Sequence, residues 1–198
     1  MLPFLPRGKL KTRIRRLLWG SILFGLGLAL MVAADLGLGP WVVLHQGVSF
    51  HTPIPIGTVG IITGFIVMVL WIPLRERIGF GSVLSVVLIG AVIDLTLIWL
   101  STPSPLALRW VYMVGGVVMV GIGTGYYIGA GLGPGPRDGL MIGIARRGWP
   151  IGLVRTSIEP TALFGGWLLG GTVGAGTIFF AFGIGPLVHA FLPRLTVE

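Results

Sequence analysis

The residues best suited to chemistry in this sequence are Arg155 and Glu159, two charged side chains inside an otherwise apolar stretch. They lie four positions apart, so on a helix they share one face. A charge inside a membrane span is costly, and such a residue is a functional hypothesis by default. The sequence therefore predicts a binding or coupling site at Glu159, with Arg155 as its partner. The alternative is an ion pair that only staples the helix, with Arg155 snorkelling to the surface.

Two further pairs of polar residues are candidates for the same site. Arg137 and Asp138 follow a loop rich in Gly and Pro, where a helix N-terminus beside an arginine would bind an anion. An equally good interpretation is that Asp138 caps the helix and Arg137 is a charge at the membrane surface. Asp94 and His189 occupy matching places late in two apolar runs. They suit a proton or ion relay, although a cap or an inter-helix hydrogen bond is the better interpretation for each alone.

Metal binding and the common catalytic arrangements have little support. Asp35, His45, Gln46 and His51 cluster around one loop, but two histidines with one aspartate are a weak metal pattern. Ordinary polar residues at the membrane interface explain them better. The chain has no cysteine, which excludes thiolate catalysis and Cys-based metal sites. It also has no Ser-His-Asp or H-E-x-x-H arrangement. We therefore expect neither an enzyme nor a cofactor.

The composition indicates the solvent in which these residues are positioned. Apolar residues make up 54% of the chain and charged residues 10%, with a mean hydropathy of +0.97. An ordinary soluble domain carries about 25% charged residues, so the solvent is a bilayer. The net charge of +8 is spread over the ends of apolar runs, and nucleic acid is not an expected partner. Membrane lipid is an expected partner, because the basic residues before position 17 either set topology or bind anionic headgroups.

The apolar runs predict the number of membrane crossings. Six of them approach the roughly 20 residues that a spanning helix needs, namely 17–34, 56–74, 80–100, 110–130, 151–171 and 174–192. Two shorter segments, 41–51 and 137–147, would reach only about 16 Å as helices and are expected to be re-entrant or interfacial. With six crossings almost every basic residue falls on one side and only Arg109 on the other. This predicts cytoplasmic N- and C-termini in a bacterial inner membrane.

A repeated motif divides the chain into two halves. Each half carries a Gly-Leu-Gly-Pro loop, a later Pro-Ile-Gly and further glycines at a nearly constant separation. The matched sets are Gly37-Leu38-Gly39-Pro40 with Gly131-Leu132-Gly133-Pro134, Pro55-Ile56-Gly57 with Pro150-Ile151-Gly152, Gly79 with Gly174 and Gly90 with Gly185. Three spans in each half is an odd number, so the halves enter the membrane from opposite sides. The sequence predicts an all-α membrane protein of six transmembrane helices in two inverted three-helix repeats.

The predicted organisation is a basic cytoplasmic arm, a first repeat, an outer linker, a second repeat and a cytoplasmic tail, at 1–16, 17–100, 101–109, 110–193 and 194–198. Proteins built this way often bind their solute between the repeats. We expect a transporter of a small polar or anionic solute, with Glu159 as coupling or binding group and Arg155 and Arg137 as anion partners. The alternatives are a substrate-capturing subunit that needs an energising partner, and a structural or assembly protein. Glycine-rich faces, such as the stripe of Gly121, Gly125 and Gly129, predict close helix packing and permit a homodimer.

The same motifs resemble a known family. The first loop with its following tryptophan, the Trp-Ile-Pro-Leu string at 71–74 and the Gly-Pro-Gly-Pro-Arg-Asp-Gly string at 133–139 resemble those of bacterial YczE-like (YczE/YitT-type) integral membrane proteins. The resemblance covers nearly everything after the basic arm. It implies a bacterial membrane protein with several spans, of a kind often described as a transporter, and it supplies no substrate. It also implies an acidic residue where this chain has Val42.

Overall fold

The computed structural model describes residues 9–197, and within that range all regular structure is helical. The helices are α1 (Leu10–Ala34), α2 (Pro40–Phe50), α3 (Ile56–Val69), α4 (Trp71–Leu74), α5 (Phe80–Trp99), α6 (Leu106–Gly129), α7 (Pro136–Ala145), α8 (Ile151–Leu168) and α9 (Ala175–Leu195). The all-α prediction is confirmed. Helices dominate because in lipid a backbone must satisfy its own polar groups, and a helix does so within one segment.

Five helical stretches in this range are long and apolar enough to cross a membrane: Leu10–Ala34, Ile56–Leu74, Phe80–Trp99, Leu106–Gly129 and Ala175–Leu195. Their outer surfaces carry large apolar side chains, including Trp99 at 89% and Phe182 at 79% exposure. The protein is therefore a multi-pass membrane protein. The sixth predicted span corresponds to α8, which has 18 residues but includes Arg155 and Glu159. Its crossing stays a prediction.

The first helix is longer than the apolar run that predicted it. Residues 10–16 of the predicted arm form its first two turns, while residues 1–8 and 198 lie outside the described range. Arg13 donates to the carbonyls of Ala130 and Val197 at 2.9 and 3.2 Å, and Arg16 donates to Leu195 at 2.5 Å. Hydropathy detects only the part of a helix that needs apolar solvent, so it does not detect these polar turns.

The centre of the molecule is the antiparallel pair of α1 and α6. Gly20 lies against Gly123, and Gly27 lies against Gly116. A methyl group on any of these four would lie 2.6 to 2.8 Å from the carbonyl oxygen of its partner. Helices in lipid associate through such small residues, which allow the backbones to approach. The pair also buries large apolar side chains from both helices, among them Met31.

A second glycine stripe on α6 packs against α9. A methyl group on Gly121 would meet Leu187, and one on Gly129 would meet the Leu195 backbone. Gly125 lies against the same helix between these two contacts. The packing role predicted for this small-xxx-small pattern is confirmed.

Each glycine-proline loop docks on the last long helix of the other half. The Gly176 N–H at the start of α9 donates to the Leu36 carbonyl at 2.7 Å. The Gly81 N–H at the start of α5 donates to the Leu132 carbonyl at 3.0 Å. The two loops therefore hold the halves together at opposite ends of the α1–α6 pair.

The conformations of the two glycine-proline loops show which of their residues occupy equivalent places. Gly37 and Gly133 have φ of +113° and +132°, the left-handed region that favours glycine. Both short helices then begin at a proline, Pro40 in α2 and Pro136 in α7, where the missing N–H has no intrahelical partner to lose. The counterpart of 37–40 is therefore 133–136, two residues later than the motif match predicts.

The halves differ in how their last two long helices pack. In the first half α3 lies against α5, and a methyl group on Gly90 would lie 2.5 Å from the Gly57 carbonyl oxygen. At the matching glycines of the second half, Gly152 and Gly185, a methyl group would meet no atom within 4 Å. Instead, α8 packs against α2, where Gly166 contacts the backbone of Leu44. The result is a gap between α8 and α9.

Candidate functional site

A cavity of about 490 Å³ lies between the two halves and reaches the gap between α8 and α9. Its volume falls within the range of about 300 to 1,000 Å³ that is usual for small-molecule sites. Five of the predicted site residues line it, from three different helices: Arg137, Asp138, Arg155, Glu159 and His189. The sixth, Asp94, lies outside its wall.

Arg155 and Glu159 form an ion pair in the wall of this cavity. The Arg155 Nε donates to the Glu159 Oε1 at 2.9 Å, one turn along α8. The two side chains are 60% and 31% exposed, so the pair is not sealed inside apolar packing. The arrangement contains the contact that the staple interpretation requires. It also contains the access that the site interpretation requires.

Arg137 lies in the cavity wall without a carboxylate partner in the range 9–197. It is the second residue of α7, and its guanidinium carbon lies 5.8 Å from the centre of the Trp41 ring. That is within the distance at which a cation is attracted to an aromatic face. The neighbouring Asp138 has a different role. Its Oδ2 accepts a hydrogen bond from the Tyr127 hydroxyl at 3.3 Å, in the first turn of α7 where a carboxylate favours the helix.

Two buried nitrogens in the cavity wall lack hydrogen bonds to any described residue. They are Trp41 Nε1, on a side chain that is 8% exposed, and His45 Nε2. Burial, and after it the Arg137 guanidinium, lower the pKa of His45 to about 3, so this ring on the short, non-spanning α2 is neutral at physiological pH. Buried polar groups without partners are uncommon in folded proteins. No feature of the sequence marks Trp41 as a site residue, because an aromatic residue in an apolar segment is typical of ordinary packing.

The N-termini of both short helices meet the cavity, at Pro40 of α2 and Pro136 of α7. A helix N-terminus carries a partial positive charge. In α7 the third residue, Asp138, offsets that charge. In α2 the third residue is Val42, and the first turn contains no acidic residue. The positive end of α2 is therefore uncompensated on its own helix.

Asp94 caps α3 rather than lining the cavity. Its Oδ1 accepts from the Gly57 N–H at 2.6 Å, and its Oδ2 accepts from the Thr58 N–H and hydroxyl, both at 2.7 Å. These contacts agree with the interpretation of Asp94 as a helix cap. His189, at the matching place on α9, is exposed on the cavity side and makes no hydrogen bond to the residues described. The same position thus closes a helix contact in one half and faces open space in the other.

The loop polar residues do not assemble into a metal site. Asp35 pairs with Arg109 at 2.8 Å, Gln46 accepts from the Thr172 N–H at 2.7 Å, and His51 bonds a carbonyl of its own helix. Between residues 9 and 197 no three His, Cys, Asp or Glu side chains come together as a metal would require. Asp35 thus joins the end of α1 to α6, and Gln46 joins α2 to the loop after α8.

Residues 11–193 match a family described as a family of unknown function (DUF6198). The chain belongs to this family. The match spans every residue that lines the cavity. Two relatives of this DUF6198 protein cover nearly its whole length. An uncharacterized protein of Haemophilus influenzae is 40% identical over 177 residues, which is 89% of this chain and 81% of the relative.

The second relative is the uncharacterized membrane protein YczE of Bacillus subtilis (strain 168). It is 36% identical over 178 residues, which is 88% of this chain and 83% of the relative. The YczE-like resemblance of the DUF6198 chain is thereby confirmed. No solved structure matches the chain.

Proposed function

We propose that the protein is a bacterial inner-membrane transporter of a small polar or anionic solute, which binds between two inverted repeats. The observation that carries this proposal is the contrast between the closed α3–α5 contact and the open α8–α9 gap, with the cavity at the open pair. Transporters built from inverted repeats work by rocking or gating one half against the other around a fixed site. In one state of such a transport cycle, the two halves are expected to differ in how their helices pack.

The order of the helices supports the inverted repeat. In each half a long helix is followed by a short one and then by two long ones, with α4 as the last turn of the α3 span. The central contact has matching symmetry, because Gly20 and Gly27 of α1 meet Gly123 and Gly116 of α6 in reverse order. A two-fold axis between antiparallel helices lies in the membrane plane, so the halves it relates have opposite orientations.

The length of α8 supports a sixth crossing. Its 18 residues rise about 27 Å at 1.5 Å per residue, close to a hydrocarbon thickness of about 30 Å. Its two charged residues line the cavity, where they need not face lipid. Each half then contributes three spans.

The arginine contacts support cytoplasmic termini. At one end of the bundle, Arg13 donates to the carbonyl of Ala130, directly after α6. At the same end, Arg146 pairs with Glu76 at 2.9 Å. At the opposite end Arg109 pairs with Asp35. Basic residues concentrate on the cytoplasmic side of bacterial membrane proteins, so the arginine-rich end is assigned to the cytoplasm.

In the exchanged arrangement α8 closes on α9 while α3 separates from α5. Gly152 and Gly185 would then make the close contact that Gly57 and Gly90 make now. Asp94 would release the first turn of α3. A purely structural protein has no need for a second glycine pair that touches nothing.

Cysteine cross-linking tests the exchange, since the chain has no cysteine of its own. In the double variant Gly152→Cys/Gly185→Cys both side chains have room. We expect a short thiol cross-linker to join them in membrane vesicles, as detected by mass spectrometry after digestion. Arg146→Cys/Glu76→Cys, which replaces a 2.9 Å ion pair, is the positive control. If that pair reacts while the glycine-derived pair never does, α8 does not close on α9.

Ligand binding tests the site. We would measure the thermal stability of purified wild type and Glu159→Gln with a metabolite library, with Glu76→Gln as a control outside the cavity. A ligand at 100 times its Kd stabilises by about 2.7 kcal/mol. The proposal expects a hit that Glu159→Gln loses and Glu76→Gln keeps. A substrate-capturing subunit would keep the hit but not the Gly152–Gly185 cross-link, and a structural protein would show neither.

A further inference from the structure

We infer that the solute is a small organic monocarboxylate, whose acidic group binds between Arg137 and the N-terminus of α2. Its apolar body would fill the rest of the cavity. This inference rests on the proposed function, because it names the substrate class of the same site.

Arg137 supplies the charge. Among the described ionic groups that line the cavity, Arg155 is already paired with Glu159, and Asp138 accepts from a tyrosine hydroxyl. Arg137 lies against the Trp41 ring. Among the described residues that line the cavity, Arg137 is therefore the arginine that makes no ion pair with a carboxylate. A guanidinium fits the two oxygens of a carboxylate with parallel hydrogen bonds.

The first turn of α2 supplies a second positive feature beside that arginine. This helix has 11 residues, its N-cap is Gly39 without a side chain, and no acidic residue occupies its first turn. The equivalent turn of α7 carries Asp138. A ligand carboxylate at α2 would take the place that a side-chain carboxylate holds in the other half, because a helix N-terminus favours an anion.

Two buried nitrogens without partners lie on the same short helix, beside this place. The Trp41 side chain is only 8% exposed, and its Nε1 has no hydrogen bond within residues 9–197. His45 Nε2, one turn further along α2, also lacks a partner in that range. The indole N–H is a donor only, and a neutral imidazole can donate as well. Both nitrogens are covered in this arrangement, so a carboxylate, which carries several lone pairs, satisfies them once the side chains turn toward the cavity.

The remainder of the wall limits the ligand to one charge and an apolar body. Its surface is formed largely by apolar side chains, including Leu28, Val86, Ile93, Val120, Phe180 and Ile184. A dicarboxylate or an inorganic phosphate would bring a further negative charge, and the described part of the wall has no second unpaired arginine or lysine to meet it. The cavity of about 490 Å³ also exceeds what an inorganic ion fills.

The test uses the purified full chain and defined probes. Thermal stability and Kd would be measured with benzoate and hexanoate, their neutral analogues benzamide and hexanamide, succinate, and inorganic phosphate. We expect the two monocarboxylates to stabilise the wild type and the other four probes not to. Arg137→Gln should weaken binding by about tenfold or more, Arg137→Lys by less, and Arg146→Gln not at all, since Arg146 lies outside the cavity.

A second pair of variants keeps the inference testable if Arg137→Gln fails to fold. Val42→Asp places a carboxylate in the first turn of α2, and Val42→Asn is its neutral match. We expect Val42→Asp to abolish monocarboxylate binding and Val42→Asn to retain it.

Three results would overturn the inference and leave the proposed transporter standing: equal binding of acids and amides, binding unchanged in both Arg137→Gln and Val42→Asp, or a library ligand of another class when no monocarboxylate binds. The proposed transporter itself falls if the Gly152–Gly185 cross-link is absent while the control pair reacts, whether or not a compound binds.

Discussion

The guanidinium carbon of Arg137 lies 5.8 Å from the centre of the Trp41 ring, and the two residues hold the same place in the two short helices. Each is the second residue of its helix, directly after the proline that starts it. Their contact occurs where the halves meet, so equivalent positions have become unlike and complementary. The same is true of α8, whose Arg155 and Glu159 stand where the first half has glycine. The glycine-proline motifs occur in both halves of the sequence, whereas the charged residues of the cavity do not.

The α1–α6 contact predicts a sharp difference between two adjacent glycines. A methyl group on Gly116 would lie 2.6 Å from the Gly27 carbonyl oxygen, whereas one on Gly115 would meet nothing within 4 Å. We expect Gly116→Ala to cost about 1 to 3 kcal/mol through overpacking and Gly115→Ala to cost nothing. Melting in detergent measures both. Equal melting temperatures would show that the two helices do not touch as described.

The unequal halves predict a separation of stability from activity. In Gly57→Ala the new methyl group collides with the Gly90 carbonyl oxygen, so stability should fall. In Gly152→Ala the methyl group enters open space, so stability should be unchanged. Because Gly152 must approach α9 in the exchanged state, we expect this variant to slow solute uptake into proteoliposomes and to reduce cross-linking between flanking cysteines. Normal uptake by Gly152→Ala would contradict the exchange.

The Asp94 cap predicts a graded loss of stability. Asp94→Asn removes an acceptor from the Thr58 N–H and hydroxyl, each bonded at 2.7 Å. We expect it to lower the free energy of unfolding by about 1 kcal/mol, as for other lost helix caps. Thr58→Val removes only the hydroxyl and should cost less. Chemical denaturation in detergent compares them, and a larger loss in Thr58→Val would rule out capping as the main role of Asp94.

The orientation predicts where an impermeant thiol reagent reacts. Arg77→Cys and Thr102→Cys place exposed cysteines on loops at opposite ends of the bundle. With cytoplasmic termini, an impermeant maleimide should label Thr102→Cys in intact spheroplasts and Arg77→Cys only after lysis. The opposite labelling order would invert the assigned orientation.

Local signals explain why much of the fold could be predicted from the sequence. Apolar length marks the spans, and a Gly-Pro step marks the start of each short helix, because both effects act within a few residues. The start of α1 at Leu10 was missed, since its first turns are polar and are stabilised by contacts with residues far along the chain. Tertiary contacts of that kind leave no local pattern.

The asymmetry of the halves could not be predicted for a related reason. Gly57 with Gly90 and Gly152 with Gly185 give the same sequence signal, yet one pair touches and the other does not. Arg137, Asp138, Arg155, Glu159 and His189 were predicted as candidate site residues because charge or polarity near an apolar run is conspicuous. Trp41 could not be predicted as a cavity residue, because its place in the wall depends on the residues packed around it. That its indole nitrogen has no hydrogen-bond partner is visible only in the structure.

The contacts between α1 and the last described residues also constrain biosynthesis. Val197 donates to the Gly129 carbonyl at 2.9 Å, while Arg13 and Arg16 hold the carbonyls of Val197 and Leu195. The ribosome makes α1 long before α6 or this tail, so α1 enters the bilayer with its glycine face unpaired. Arg13 can reach the Ala130 carbonyl once α6 has been made, but its bond to Val197 and the bond of Arg16 to Leu195 form only after those last residues have been synthesised. Assembly of the N-terminal helix is therefore completed by the arrival of the C-terminal one, and a nascent chain interrupted before α9 cannot acquire the native arrangement of its first helix.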